Sequence, residues 1–161
     1  MCVICNSLDL SDDLSEVSSW RVSSAIPATP GASGLGDSLY PGFGNSGYDA
    51  QHYTLDLNVT DVATSTLIGK TTIDAKATQA LSSFNLDFIG FTIDSITVNG
   101  QPATYSRIGQ ELTITPETPL GDDEAFTVEV AYQGAPTPID SVAFTFSVPT
   151  GWVIVDDGNF V

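Results

Sequence analysis

A strict alternation of apolar and polar residues, starting at Tyr48, restricts the fold of this chain more than any other feature. Between residues 53 and 60 every odd-numbered residue is apolar and every even-numbered one is polar: Tyr53, Leu55, Leu57 and Val59 alternate with Thr54, Asp56, Asn58 and Thr60. A period of two is that of a β-strand with one buried face. The sequence therefore predicts a first strand over residues 48–60.

The rest of the body has the same texture. A second alternating run covers residues 67–78, and the short polar connection over 61–66 predicts a hairpin between the two strands. Shorter strands are predicted at 83–89, 92–98, 102–107, 110–115 and 124–133, and further strands at 142–148 and 152–155. The pair Asn99-Gly100 is the strongest turn signal, because both positions tolerate positive φ. No segment of this region has the 3.6-residue period of a helix, so we expect an all-β fold, an antiparallel sheet forming a saddle or a sandwich.

The first part of the chain differs in composition from the body. Residues 1–36 are rich in Ser, Asp, Gly and Pro, which is typical of a flexible leader and linker, with one short helix predicted at about 11–20. The β-domain is expected over 37–161. Because the chain stops inside what resembles a new strand, we expect it to be a piece of a longer protein, truncated at its C-terminal side.

Charge limits the partners that the chain can have. Four Lys and Arg stand against 20 Asp and Glu, for a formal net charge of −16. Neither nucleic acid nor an anionic membrane is an expected partner, since both need clustered cations. The shortage of Lys and Arg favours an extracellular over a cytoplasmic location, although no export signal and no apolar run of about 18 residues is visible.

The cysteines and the acidic clusters are weak candidates for sites. Cys2 and Cys5 form a C-x-x-C with no second pair and no neighbouring His, so they cannot complete a zinc site. The favoured interpretation is that the two cysteines have no specific role; the alternatives are a disulfide and a metal or redox role. Acidic residues cluster in two turn-like segments, where solvated turns are favoured over weak calcium ligands or a glycosidase pair. These clusters are Asp122, Asp123 and Glu124, and Asp156 with Asp157.

Three further candidates also have simpler structural interpretations. His52 is the only histidine, so a Ser-His-Asp triad would depend on it, and no G-x-S-x-G is present; a structural place on the first strand is favoured over a ligand role. Asn58-Val59-Thr60 matches a glycosylation sequon, which matters only in a eukaryotic secretory route. Trp152 with Phe144 and Phe146 would fill a core rather than form an exposed aromatic platform.

The order of short elements over residues 36–134 resembles the N-terminal β-saddle domain of the aminopeptidase N family of gluzincin zinc metallopeptidases. The segment 36–57 resembles the family's entry segment, in which a Tyr-Asp-x-x-His-Tyr run, here residues 48–53, begins the first long strand. The Phe-Asn-Leu-Asp run at 84–87 and the hairpin at 96–102 resemble later strands. Residues 151–161 match only loosely.

The resemblance implies a non-catalytic domain that buttresses a thermolysin-like catalytic domain and walls its peptide-binding cleft. Zinc would belong to that missing domain, because the chain lacks H-E-x-x-H and also the family's Gly-x-Met-Glu-Asn loop, its one Met being Met1. We therefore predict no catalytic, cofactor-binding or metal-binding residue in this chain, and contact with peptide substrate only through the catalytic domain. One face of the sheet should carry an exposed apolar patch.

A second hypothesis is a free-standing adhesive or carbohydrate-binding β-sandwich of a secreted acidic protein, with closed sheet edges and a thermal shift on adding calcium or glycans. An enzyme acting alone is the third. This third hypothesis predicts that the chain has peptidase activity when zinc is added.

Overall fold

Thirteen strands make up the regular structure of the residues that can be described. A computed structural model describes residues 27–39, 44–136, 138–140, 149–150, 153–155 and 158–160, with side chains up to Pro138. In chain order the strands are β1 Thr29–Pro30, β2 Tyr48–Asp61, β3 Thr66–Ala77, β4 Leu81–Asp87, β5 Thr92–Val98, β6 Gln101–Pro102, β7 Thr104–Ile108, β8 Glu111–Thr115, β9 Ala125–Gly134, β10 Ile139–Asp140, β11 Pro149–Thr150, β12 Val153–Val155 and β13 Gly158–Phe160. These residues contain no helix, and the all-β prediction is confirmed.

The larger sheet has five strands in the order β2-β3-β9-β5-β6, all antiparallel. Its long hairpin is the one predicted from the alternation, with Tyr53 opposite Ile73 and Leu57 opposite Gly69. The apolar residues of β2 therefore lie on the same face as the apolar residues of β3 and β9. β2 forms one edge of this sheet, and a bulge between Ala50 and His52 twists it there.

The smaller sheet has the order β1-β4-β8-β7. β4, β8 and β7 are antiparallel neighbours, whereas β1 pairs in parallel with β4 through Thr29 opposite Leu81. Gly31 N–H donates a 2.8 Å hydrogen bond to the Ser83 carbonyl and continues that contact. The boundary predicted at residue 36 remains a prediction, but Thr29 and Pro30 on its N-terminal side already pair with the smaller sheet.

The core lies between the inner faces of the two sheets. Phe84 of β4 packs against Phe126 of β9, with ring centroids 5.3 Å apart, and against Tyr48 of β2 at 5.8 Å. Each fully buried side chain of this size contributes about 1.5–3 kcal/mol of hydrophobic stabilisation. Among the side chains described, sixteen hydrophobic residues are buried: Leu67, Ile73, Ala75, Ala77, Leu81, Phe84, Leu86, Ile96, Val98, Leu112, Ile114, Leu120, Phe126, Val128, Val130 and Tyr132.

The chain passes between the two sheets more than once. The strand predicted over 102–107 is in fact two strands, because β6 pairs with β5 in the larger sheet and β7 pairs with β8 in the smaller one. The switch occurs at Ala103, whose N–H donates a 3.0 Å bond to the Ile96 carbonyl. Pro102 has no N–H, and within the described residues its strand β6 has no neighbour on its outer side. An edge strand of this kind is the position in a sheet that tolerates proline.

The predicted turn at Asn99-Gly100 is present and has the expected backbone. Asn99 has φ of 51° and Gly100 φ of 74°. The Asn99 side chain accepts a 2.9 Å bond from Thr127 N–H, and Asn99 N–H donates to the Thr127 carbonyl. This pair of bonds ties the β5–β6 turn to β9.

The remaining strands form two small antiparallel pairs, β10 with β11 and β12 with β13. The helix predicted at 11–20 and the strand predicted at 142–148 lie outside the described residues. Within the described part of the chain, no helix has the length and apolarity that crossing a membrane would take.

Candidate functional site

The apolar side chains along the distal part of β2 are exposed, although they point to the same side as the core. Tyr53, Leu55, Leu57 and Val59, which we call the uncovered face, are between 38% and 59% exposed. Their cross-strand neighbours include Ile73 and Leu67, which are buried. A row of exposed large apolar residues on one strand face is the usual mark of an interaction surface.

The buried face predicted for the first strand is thus wrong for the residues beyond Ala50. The alternation sets the side to which these residues point, but the smaller sheet does not reach far enough to cover them. β2 is the edge strand of the larger sheet, and Leu67 and Ile73 on the adjacent strand β3 are buried, so the covering of this face ends between β3 and the distal part of β2. The exposed apolar patch expected from the family resemblance lies on this edge strand.

A groove with a volume of about 650 Å³ continues from the uncovered face into the space between the sheets. Three rings form an aromatic wall: Phe91 lies 5.0 Å and Phe88 5.5 Å from Tyr132 between ring centroids. The groove is lined by Leu35, Gly44, Asn45, Tyr48, Asp49, Ala50, Tyr53, Thr71, Ile73, Leu86, Asp87, Phe88, Ile89, Phe91, Val130 and Tyr132. Most of these side chains are apolar, so the groove offers a largely hydrophobic surface with a few polar groups.

The aromatic wall is fixed from outside by one cation. The Arg107 guanidinium lies 5.8 Å from the centre of the Phe88 ring and donates a 2.9 Å hydrogen bond to the Phe91 carbonyl. A guanidinium over a ring face is a favourable cation–π arrangement. The bond holds the 88–91 crossover between β4 and β5 against β7.

Carboxylates form the polar rim of the groove. Asp49 and Asp87 both line it, and Glu111 lies directly opposite Asp87 in the β4–β8 pair. The pKa of Glu111 is raised by partial burial and then by the charge of Asp87. Burial likewise raises the pKa of Tyr48, whose hydroxyl donates a 2.9 Å bond to the Asn85 carbonyl. The rim therefore carries closely spaced negative charge.

Replacing Glu111 by Gln should change how stability depends on pH. Because the folded-state pKa of Glu111 is raised, the folded chain holds this proton more tightly than the unfolded chain does. The stabilisation is full below the ordinary glutamate pKa and is lost as pH rises through the folded-state value. We therefore expect the variant to gain stability relative to wild type as pH rises from the ordinary glutamate pKa through the raised folded-state pKa, and to keep that gain at higher pH, as measured by urea unfolding.

The matched control is Glu117→Gln, which removes the same charge from an exposed residue of the 116–124 loop. Identical pH profiles for wild type and Glu111→Gln would contradict the interpretation of the rim.

The structure places His52 away from the groove. It is exposed on the outer face of the larger sheet, opposite Asp74. Asp74 accepts a 2.9 Å hydrogen bond from Thr127 on the neighbouring strand. The sequon residues Asn58 and Thr60 are exposed on the same strand, and Thr60 donates a 3.1 Å bond to the Thr66 carbonyl across the hairpin.

Two acidic residues of the 121–124 segment make contacts that stabilise the turn. Glu124 accepts a 2.6 Å bond from Gly121 N–H, and Asp123, at φ of 67°, forms a 2.6 Å ion pair with Lys76. Cys2, Cys5, Phe144, Phe146, Trp152, Asp156 and Asp157 lie outside the described residues. Among the side chains that the structure describes, no three of His, Cys, Asp or Glu converge as metal ligands.

The fold and the groove define the class of protein as an open two-sheet β-domain with an exposed apolar face. Solved structures similar to the chain include M1 zinc metallopeptidases. The enzyme from Deinococcus radiodurans matches at a TM-score of 0.62 and 30% identity over 74% of this chain and 27% of its own. A mutant of it bound to a Tyr-Ser-Ala substrate gives 0.63 and 29%, with the same coverages.

A two-domain M1 zinc metallopeptidase mutant bound to L-tryptophan matches at a TM-score of 0.59 and 31% identity, over 65% of this chain and 24% of its own. The chain thus spans about a quarter of the length of these structures. No protein-family model matches it, and neither does any curated protein. The predicted resemblance to the aminopeptidase N family is confirmed, and the similarity supports a domain of an aminopeptidase.

Proposed function

We propose that this chain is the non-catalytic N-terminal domain of a zinc aminopeptidase, which buttresses the catalytic domain and walls one side of the peptide-binding cleft. The observation that carries the proposal is the uncovered face together with the groove that continues from it. A monomeric domain gains nothing from leaving four large apolar side chains of one strand exposed. Their exposure has a physical reason if a second domain covers them.

In this proposal, zinc and the peptide-cleaving chemistry belong to the catalytic domain. The described side chains do not fit a zinc site, since no three potential ligands converge. The contribution of this chain is mechanical and steric: it supports the catalytic domain through an apolar contact and limits access to the cleft from one side. Peptide substrate would be reached only through that domain.

The edge strand β2 also favours docking over a self-contained module. In the part of the chain that the structure describes, β2 has no neighbour on its outer side. Bulges at Ala50/His52 and Val59/Asp61 and the charges of Asp49 and Asp56 discourage unspecific pairing along this edge. A free-standing sandwich would be expected to close or cover such a long edge.

The first test is the coding sequence downstream of Val161. We expect an H-E-x-x-H motif followed by a more distant Glu, which supply zinc ligands and a general base. The encoded catalytic portion, expressed separately with a tag, should then retain the present chain at a 1:1 ratio. A stop codon directly after Val161, or a catalytic portion that does not bind the chain, would refute the proposal.

The second test compares two double variants of β2 with the same change in charge. Leu55→Asp/Leu57→Asp alters the uncovered face, and Thr54→Asp/Asn58→Asp alters the opposite face of the same strand. The first should lower affinity for the catalytic portion about 10- to 100-fold, because each leucine forfeits roughly half of the 1.5–3 kcal/mol that full burial gives. The control should stay within about twofold of wild type in calorimetric titration. Equal losses from both pairs would mean that the uncovered face is not the contact.

The aromatic wall of the groove keeps the carbohydrate-binding alternative open to a direct test. Bound sugar rings commonly stack on aromatic side chains such as these. A thermal shift on adding glycans that is abolished by Tyr53→Ala, together with no binding to the catalytic portion, would favour the alternative.

A further inference from the structure

We propose that the groove receives a segment of the catalytic domain in which a large apolar side chain stands next to a Lys or Arg. This inference rests on the proposed function and adds the chemistry of the contact between the two domains. The apolar side chain would enter between Tyr53 and the aromatic wall, and the cation would face the carboxylates of the rim.

The shape and lining of the groove account for the apolar part of the occupant. A volume of about 650 Å³ falls within the range of about 300–1,000 Å³ that is usual for binding pockets. One side is formed by the larger sheet, through Tyr53 and Val130, and the other by Leu86 and Phe88. An aliphatic or aromatic side chain would meet carbon atoms on both sides and displace water from them.

The carboxylates account for the cation. Asp49 and Asp87 line the groove, and neither has an ion-pair partner among the described residues. Glu111, beside Asp87, has an oxygen, Oε2, that is buried without a hydrogen-bond partner. An ammonium or guanidinium group would relieve the repulsion between Asp87 and Glu111.

None of the cations in the described part of the chain forms an ion pair with a carboxylate of this rim. Lys70 pairs with Glu129 at 3.2 Å, and both residues lie on the outer face of the larger sheet. Lys76 lies opposite Asp49 across the β2–β3 pair, but its amine forms its ion pair with Asp123, at 2.6 Å. Arg107 lies against the Phe88 ring and the Phe91 carbonyl, where it supports the aromatic wall from behind. Because the described cations have other partners, we assign the positive charge that faces the rim to the occupant.

The same charges argue against a second copy of this chain as the occupant. A symmetric dimer would bring two acidic rims together, and each chain carries a formal net charge of −16. Like charges at such a contact oppose association, most strongly at low salt.

The test measures the preference of the full 161-residue chain for two dipeptide probes. N-acetyl-Phe-Arg-amide and N-acetyl-Phe-Glu-amide differ only in the charged side chain. We expect the arginine probe to shift the backbone amide NMR signals of Tyr53, Leu86 and Val130 with a Kd in the millimolar range or below, about fivefold lower than that of the glutamate probe. The preference should shrink as salt is raised to about 1 M.

Two charge variants of equal size provide the control. Asp49→Asn/Asp87→Asn should abolish the preference for the arginine probe, whereas Asp56→Asn/Asp122→Asn, which removes two carboxylates from exposed positions elsewhere, should leave it unchanged. Equal binding of the two probes, no binding of either, or signal shifts confined to other surfaces would overturn the proposal. Groove signals that shift with protein concentration alone would also overturn it, in favour of a second copy.

The outcome is separable from that of the proposed function, because the catalytic portion takes no part in this experiment. Retention of the chain by the catalytic portion without any probe preference would leave the docking role intact and reject only the apolar and cationic occupant. A probe preference without such retention would reject the docking role, while the groove would still bind apolar-cationic segments.

Discussion

Replacing Phe84 by Ala is expected to lower the free energy of unfolding by about 3–5 kcal/mol. Phe84 is 1% exposed, and its ring touches partners from two strands of the opposite sheet, Phe126 and Tyr48. Truncation would leave a cavity between the sheets, which β-sheet backbones on both sides cannot easily close. Urea unfolding followed by tryptophan fluorescence and by circular dichroism would measure the change.

Two further variants make the Phe84 result interpretable. Phe84→Leu keeps most of the apolar volume and should lose only about 1–2 kcal/mol. Ile108→Ala removes an apolar side chain of similar size that is 82% exposed on β7, and it should change stability by less than about 0.5 kcal/mol. If Phe84→Ala behaved like Ile108→Ala, the packing of the two sheets around this ring would be wrong.

The second large effect is expected at Gly69, where the larger sheet has no room for a side chain. A Cβ on Gly69 would lie 2.6 Å from Cζ and 2.9 Å from the hydroxyl oxygen of Tyr132 on the neighbouring strand. That ring is held in place by Phe91 and by a 3.1 Å hydrogen bond with Thr71. Gly69→Ala should therefore destabilise the domain by about 1–3 kcal/mol, although Gly→Ala in a strand usually favours folding.

The clash predicts a specific coupling with Tyr132. In a Tyr132→Ala background the ring is gone, so the added methyl of Gly69→Ala should be neutral or stabilising. A double-mutant cycle of urea unfolding curves should then give a coupling energy of about 1–3 kcal/mol. Additive effects of the two substitutions would show that the ring does not limit the space above Gly69.

The sequence predicts strand positions here because the alternation is regular. β2 was expected at 48–60 and is Tyr48–Asp61, and β9 was expected at 124–133 and is Ala125–Gly134. The crossing at Ala103 was missed because residues on both sides of it have β-type patterns, and a pattern does not state which sheet a strand joins. The pairing of β1 with β4 was missed because two residues of a Pro-rich segment carry no periodic signal.

The groove was beyond prediction for a related reason. Period two identifies the side of a strand to which an apolar residue points, but not whether another layer covers that side. Its walls also bring together residues far apart in the chain, such as Tyr53, Phe88 and Tyr132. The prediction of an exposed apolar patch came from the family resemblance, and the edge position of β2 in the larger sheet determines where that patch lies.

The position of β9 between β3 and β5 has a consequence for synthesis on the ribosome. The β2–β3 hairpin emerges first, but its inner neighbour in the sheet is about 50 residues downstream, and β4, β5, β7 and β8 all leave the ribosome before it. Until β9 pairs, the hairpin displays an unpaired strand edge on both sides together with its apolar face, a combination that invites association with other nascent chains. Chaperone engagement during translation should therefore begin once residues 48–77 are exposed and end only after residue 134 has cleared the exit tunnel.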